Sequence, residues 1–287
     1  MMFAFLVTLR EGFEIALIVA IVMGYLARTG NRRHFRQIWI GVALAALVTV
    51  GVSTALVVGR RELSAAAREV FEGVTMLLAT GMLTWMVLWM RRQAASLGTD
   101  LRHGVEVALH AGSVWTLVAL AFSAVIREGI ETALFLFAGS AAAHDDSSTM
   151  FVAGGLAGFA AAAVLGYGVY RGAHILPIGR FFTVSGVVVL ILGAGLLSNG
   201  LGELLESGLI PSLGARPWDT EGWLPLGGVL GRFARAVLGY DSAPTWGQII
   251  AYWAYLAAGL AMFSRAAQPV SRVPVEVNAA SGTSGAR

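Results

Sequence analysis

The sequence predicts an all-α polytopic membrane protein with seven transmembrane helices, and three observations support this fold class. Of the 287 residues, 57% are hydrophobic and 13% are charged, whereas about 25% of the residues in soluble domains are charged. Apolar runs of about twenty residues, the length of helix that crosses a bilayer core, recur along the chain. The basic residues, all of them arginine, cluster at the ends of these runs, as expected for the connections of a membrane protein.

Each apolar run is interpreted as one span. The first lacks the basic start and the cleavage site of a signal peptide, so we expect it to be retained. The first and fourth runs each contain one charged motif, the third and sixth each contain a glutamate near one end, and the second, fifth and seventh are uncharged. The predicted spans are residues 2–27, 38–58, 70–90, 112–139, 150–170, 182–205 and 246–264.

The distribution of arginine predicts the orientation. Twelve arginines follow the first, third, fifth and seventh spans, and six lie in the other connections. By the positive-inside rule, the N-terminus is outside and the C-terminus is cytoplasmic. We expect one membrane domain over residues 1–265, with an external loop at 206–245 that contains an interfacial amphipathic helix. Residues 266–287 are predicted to be a flexible cytoplasmic tail.

A charged motif occurs twice in the apolar sequence. Residues 10–17 read REGFEIAL and residues 127–134 read REGIETAL, so six of the eight positions are identical. The copies lie in the first and fourth spans, and with three spans per unit the second copy enters the membrane from the opposite side. This predicts an inverted repeat of residues 1–90 and 112–205, with a site near the bilayer midplane where the two units meet.

The repeated motif predicts an oxygen-ligand metal site. Charged residues at this depth are costly, at about 2.5–3.5 kcal/mol each, and generally serve a function. The two glutamates of each copy share a helix face, and the arginine four residues before the second glutamate lies nearly on that face. Carboxylates without Cys or His select hard cations. We expect the metal ligands to be Glu11, Glu14, Glu128 and Glu131, with Arg10 and Arg127 as motif arginines and no catalytic residue.

The net charge of this site does not determine the oxidation state of the bound metal. With all groups ionised, the four carboxylates and two guanidiniums carry −2, which a divalent ion neutralises and a trivalent ion turns to +1. No cofactor is expected in addition to the transported metal. A nucleic-acid partner is not expected either, because topology explains the basic residues; membrane lipid is the expected surrounding.

Two further groups of residues have weaker interpretations. Acidic residues predicted near the outer surface suggest a vestibule that concentrates cations; these are Glu69, Glu72, Asp145, Asp146, Glu203 and Glu206. Ordinary charge at helix ends explains them equally well. Several tryptophans are interpreted as anchors at the membrane interface, namely Trp39, Trp89, Trp246 and Trp253.

The paired Arg-Glu-Gly-x-Glu motifs in a seven-span chain resemble the oxidase-dependent iron permease family, which includes fungal high-affinity iron permeases and bacterial EfeU-type permeases. The resemblance covers about residues 1–265 and extends to the EVFEG sequence at 69–73. It implies a cell-membrane permease that imports iron, with the motif glutamates as ligands. It also implies an extracytoplasmic redox partner, which is a multicopper oxidase in fungi and often a haem peroxidase in bacteria.

Other functions are compatible with the same residues. Some bacterial relatives are associated with lead, so another metal cation is an alternative cargo. A membrane di-iron carboxylate oxidase is an alternative of another class, although such enzymes usually use Glu-x-x-His pairs and neither motif contains histidine. A structural subunit of a redox complex is a third possibility. The sequence leaves the oligomeric state, the coupling ion and the oxidation state of the iron open.

Overall fold

The computed structural model describes residues 1–93, 97–110, 114–143, 148–172, 178–211 and 214–266. Within these ranges the protein contains nine α-helices and no β-strand. A short 3₁₀ turn at Arg32–His34 precedes the second helix. The helices are α1 (Met2–Arg28), α2 (Phe35–Glu62), α3 (Ala65–Gln93), α4 (Leu97–His110), α5 (Val114–Ala143), α6 (Ser148–Tyr170), α7 (Ile178–Glu206), α8 (Val229–Leu238) and α9 (Trp246–Ala266).

Seven long helices coincide with the seven runs predicted to span the membrane. In the described part of the chain, five of them are apolar and long enough to cross a bilayer, namely α2, α3, α6, α7 and α9. The other two, α1 and α5, are 27 and 30 residues long. Each of these two helices carries the three charged residues of one motif copy. The chain is therefore an all-helical, multi-pass membrane protein.

Of the two shorter helices, one was predicted from the sequence and the other was not. Helix α8 lies in the 206–245 loop, where the sequence predicted an amphipathic helix, and it exposes Val229, Leu230 and Phe233. Its position at the membrane interface stays a prediction. Helix α4 was not predicted, because the sequence before the fourth span was interpreted as a connection. It buries Val105 and Ala108, and it presents Glu106 to Tyr25 of α1 through a 2.7 Å hydrogen bond.

Three helix pairs dominate the packing: α1 with α6, α2 with α5, and α3 with α7. The pattern has a simple symmetry. Exchanging α1, α2 and α3 with α5, α6 and α7 converts the first pair into the second and leaves the third unchanged. Helix α1 also contacts α5 directly, and that pair too is unchanged by the exchange.

Glycines permit the first two close pairs and show their direction. Along α1 and α6, Met1 meets Gly154 and Ala16 meets Gly166, so these two helices are parallel. Along α2 and α5, Gly41 contacts the backbone of Val118 and Phe122. Further along the same pair, Thr49 contacts Gly129, so α2 and α5 are also parallel.

Two other contacting pairs, α1 with α5 and α3 with α7, are antiparallel. Phe3 near the start of α1 packs on Gly139 near the end of α5, and the motifs of the two helices meet near their middles. In α3 and α7, Thr80 donates a 3.3 Å hydrogen bond to the carbonyl of Gly193 and Arg91 donates a 3.2 Å bond to Thr183.

Two more antiparallel pairs complete the bundle. In α3 and α5, the rings of Phe71 and Phe137 lie 5.5 Å apart at one end, and Trp89 contacts Arg127 further along the pair. Helix α9 runs against α7, since Gln248 near its start donates a hydrogen bond to Ser198 and Phe263 near its end meets Gly186. Consequently α1, α3, α6 and α9 point one way, and α2, α5 and α7 point the other.

Candidate metal site

The motif glycines let two further helices pack against the motif helices. A Cβ atom on Gly12 would lie 2.9 Å from the ring of Phe159 and 3.0 Å from the Cβ of Ala162, both in α6. A Cβ atom on Gly129 would overlap the hydroxyl of Thr49 in α2. Each motif is thus contacted by a helix of the other half of the chain, and the glycine between the two glutamates permits this close approach.

The motif glutamates meet where α1 and α5 cross. Glu11, Glu128 and Glu131 each place one carboxylate oxygen within 4.8 Å of the others, and all three are buried. Glu14 is buried as well and lies near enough to Glu128 and Glu131 for electrostatic repulsion. The structure therefore brings all four predicted ligands together, three of them in one tight cluster.

Each arginine pairs with the glutamates of its own motif. The Arg10 guanidinium lies 3.2 Å from Glu14 and 3.6 Å from Glu11. Arg127 donates a 3.2 Å hydrogen bond from Nε to Oε1 of Glu131 and lies 3.9 Å from Glu128. The i, i+4 spacing produces the shorter contact in both copies.

The cluster holds buried carboxylate oxygens that accept no hydrogen bond from the protein. Both oxygens of Glu11, Oε1 of Glu14 and one oxygen each of Glu128 and Glu131 are of this kind. Leaving a buried charged oxygen without a donor is costly. A cation bound among these oxygens would supply the missing partner, and the all-oxygen set suits a hard metal ion.

A cavity of about 90 Å³ is lined at one end by Arg10. It extends towards Arg91 near the C-terminal end of α3, and Phe182 and Thr183 of α7 form part of its wall. Open space therefore extends from the buried guanidinium towards one end of the bundle.

The outer acidic residues do not form one open surface. Glu72 is buried and forms ion pairs with Arg60 of α2 and with Arg68, the latter at 2.7 Å. Glu203 is buried, whereas Glu69 is half-buried and Glu206 is exposed. The predicted vestibule residues Asp145 and Asp146 lie outside the described residues.

Sequence reasoning missed the surroundings of Arg127. Its guanidinium carbon lies 4.6 Å from the ring centre of Trp89 and 5.2 Å from that of Trp85. Trp89 was interpreted as an interface anchor, and Trp85 was not singled out. Their spacing of four residues on α3 was the available signal, but nothing in the sequence linked them to α5.

Buried carboxylates inside a bundle of long apolar helices are typical of a membrane transport protein. The whole membrane region, residues 1–267, matches the Iron permease FTR1 family. The chain belongs to this family, and its relatives are named as permeases, not as enzymes.

The similar proteins cover nearly the whole chain. The ferrous iron permease EfeU of Shigella sonnei is 34% identical over 262 residues, which is 91% of this chain and 94% of the relative. EfeU of Escherichia coli O157:H7 gives the same values. EfeU of Yersinia pestis is 32% identical over 261 residues, 90% of this chain and 92% of the relative. No solved structure matches the chain.

Proposed function

We propose that the chain imports iron through a midplane site formed by Glu11, Glu14, Glu128 and Glu131. One observation supports this function above the others: buried carboxylates from two helices, 117 positions apart in sequence, converge with oxygens that accept no hydrogen bond. A structural ion-pair network would be expected to satisfy its oxygens. A transient cation site leaves them available.

The proposed architecture is a seven-span inverted repeat with the N-terminus outside. Its support is the direction of the helices, because α1, α2 and α3 run opposite to α5, α6 and α7. Iron reaches the glutamates from the outer face, and a change in the relative position of the two units exposes it to the cytoplasm. The cavity beside Arg10 supports an inward route, since Arg91 lies at the end of α3 that we place in the cytoplasm.

The cargo, the location and the partner follow from the family. The relatives named ferrous iron permeases favour Fe²⁺, whose charge neutralises the −2 of the ionised site. A bacterial multi-pass permease of this kind belongs in the cytoplasmic membrane. An extracytoplasmic oxidase or peroxidase is the proposed partner, and the outer carboxylates are proposed to guide the ion inwards.

The test is uptake of radioactive iron by vesicles reconstituted with the purified chain. Ferrous iron, kept reduced, and ferric iron are compared, with lead as a competitor. We expect saturable iron uptake that Glu128→Gln reduces at least tenfold and that Glu106→Gln, in α4, leaves unchanged. Equal uptake by all three proteins, or transport of lead without iron, would contradict the proposal.

A further inference from the structure

The two motif arginines occupy different surroundings despite their matching sequence. The Arg10 side chain is 2% exposed and is enclosed beside its glutamates. The Arg127 side chain is 37% exposed, although it also lies in the middle of a long apolar helix. A guanidinium exposed at that depth needs a favourable neighbour, because charge within a bilayer is costly.

Two stacked indole rings provide that neighbour. Trp85 and Trp89 lie on one face of α3, with ring centres 6.1 Å apart and planes inclined by 23°. The Arg127 guanidinium is within 6 Å of both rings, the range of a cation–π contact. Arg127 therefore has two kinds of partner. Its Nε donates a hydrogen bond to Glu131, and its guanidinium carbon lies over the tryptophan rings.

This arrangement addresses a difficulty of cation binding. Glu131 has one oxygen bonded to Arg127, and its other oxygen is buried without a donor. A metal that coordinates Glu131 competes with Arg127 for this carboxylate. If Arg127 lost the Glu131 carboxylate and had no other favourable contact, its unpaired positive charge would oppose metal binding.

We propose that Trp89, supported by Trp85, is a positioning residue for Arg127. The rings hold the guanidinium beside the glutamate cluster. Arg127 then releases the Glu131 carboxylate when the metal binds and pairs with it again when the metal leaves. The inference rests on the proposed function. It concerns how tightly the site binds its cargo and assigns no metal contact to the tryptophans.

The test is a double-mutant cycle between Trp89 and Arg127 in the iron uptake assay. Trp89→Leu is expected to raise the KM for iron about tenfold, equivalent to ~1.4 kcal/mol, with a smaller change in the maximal rate. Trp89→Phe retains a π face and should stay within about threefold of the wild type. In an Arg127→Gln background, Trp89→Leu should change KM by less than about twofold.

A matched control and a folding measurement complete the test. Trp115, 73% exposed on α5, receives the same change to leucine and should keep a wild-type KM. Only variants with a wild-type elution profile and melting temperature enter the cycle, and Trp89→Met, which also lacks a π face, stands in if Trp89→Leu fails to fold. The inference is overturned if Trp89→Leu acts equally in both backgrounds, if Trp115→Leu matches it, or if no Trp89 variant changes KM.

The two proposals fail in different ways. Wild-type uptake by Glu11→Gln and Glu128→Gln would overturn the proposed function regardless of the tryptophans. Loss of uptake in these variants, together with independent effects of Trp89 and Arg127, would overturn the tryptophan inference and leave the proposed function standing.

Discussion

A carboxylate oxygen of Glu11 in α1 lies within 4.8 Å of one from Glu128 in α5, and both side chains are buried. The two residues come from equivalent positions of a repeated motif. Two buried carboxylates at this separation repel each other when both are ionised. Their proximity is therefore a cost to the empty protein, and a bound cation removes it.

This cost predicts the effect of Glu11→Gln on stability. Neither oxygen of Glu11 accepts a hydrogen bond, and Arg10 lies closer to Glu14 than to Glu11, so neutralising Glu11 should raise the melting temperature of the metal-free protein by about 2–4 °C. The same change should abolish the stabilisation that iron gives to the wild type. Thermal unfolding in detergent, with and without iron, measures both effects. A marked loss of stability in the metal-free variant would favour a structural ion pair instead.

Close packing of α2 on α5 predicts a difference between two glycines of one helix. A Cβ atom on Gly41 would lie 2.5 Å from the carbonyl oxygen of Val118, whereas one on Gly51 would meet nothing within 4 Å. Gly41→Ala should lower the melting temperature by about 2–6 °C because the helices must separate. Gly51→Ala should leave it unchanged or slightly raised. Equal effects would show that this contact is not present in the protein.

The proposed orientation predicts which residues react from outside. The chain contains no cysteine, so single cysteines can be introduced without further changes. Trp223, 76% exposed in the segment between α7 and α8, should react with an impermeant maleimide in right-side-out vesicles once replaced by cysteine. Cysteine in place of His103, exposed in α4, should react only after permeabilisation. The opposite result would reverse the orientation, and labelling of both from one side would contradict the span count.

Electrostatic guidance at the outer face predicts a salt-dependent effect. Glu206 is exposed at the end of α7, and Glu206→Gln should slow iron uptake about twofold to fivefold at low ionic strength. The difference should vanish at about 0.5 M salt, because exposed charges are then screened. Glu106→Gln in α4, which we place on the cytoplasmic side, is the control. A decrease that persists at high salt would indicate a structural role for Glu206.

The sequence predicted those parts of the fold that depend on local pattern. Runs of apolar residues located the seven long helices, and the matching motifs located four glutamates that the structure brings together. Helix α4 was missed because Asp100, Arg102 and Glu106 break up its apolar residues, and its buried face shows only at helical spacing. Local pattern cannot show that such a face has a partner in α1.

The details of the site depended on contacts between distant segments. Both arginines begin the same Arg-Glu-Gly-x-Glu motif, so the burial of Arg10 and the exposure of Arg127 could not be distinguished. Nor could the sequence show that Arg60 and Arg68 pair with Glu72, which was expected to face an open vestibule. The contacts of Arg127 and Glu72 come from side chains of α2 and α3 that are distant in sequence from the motif of α5.

The most direct test of the central claim is iron binding to the purified protein, combined with X-ray absorption spectroscopy of the bound metal. The account predicts one iron per chain with only oxygen ligands. It also predicts loss of this binding when all four motif glutamates are changed to glutamine. Nitrogen ligands in the first shell, or unchanged iron binding by the quadruple variant, would contradict it.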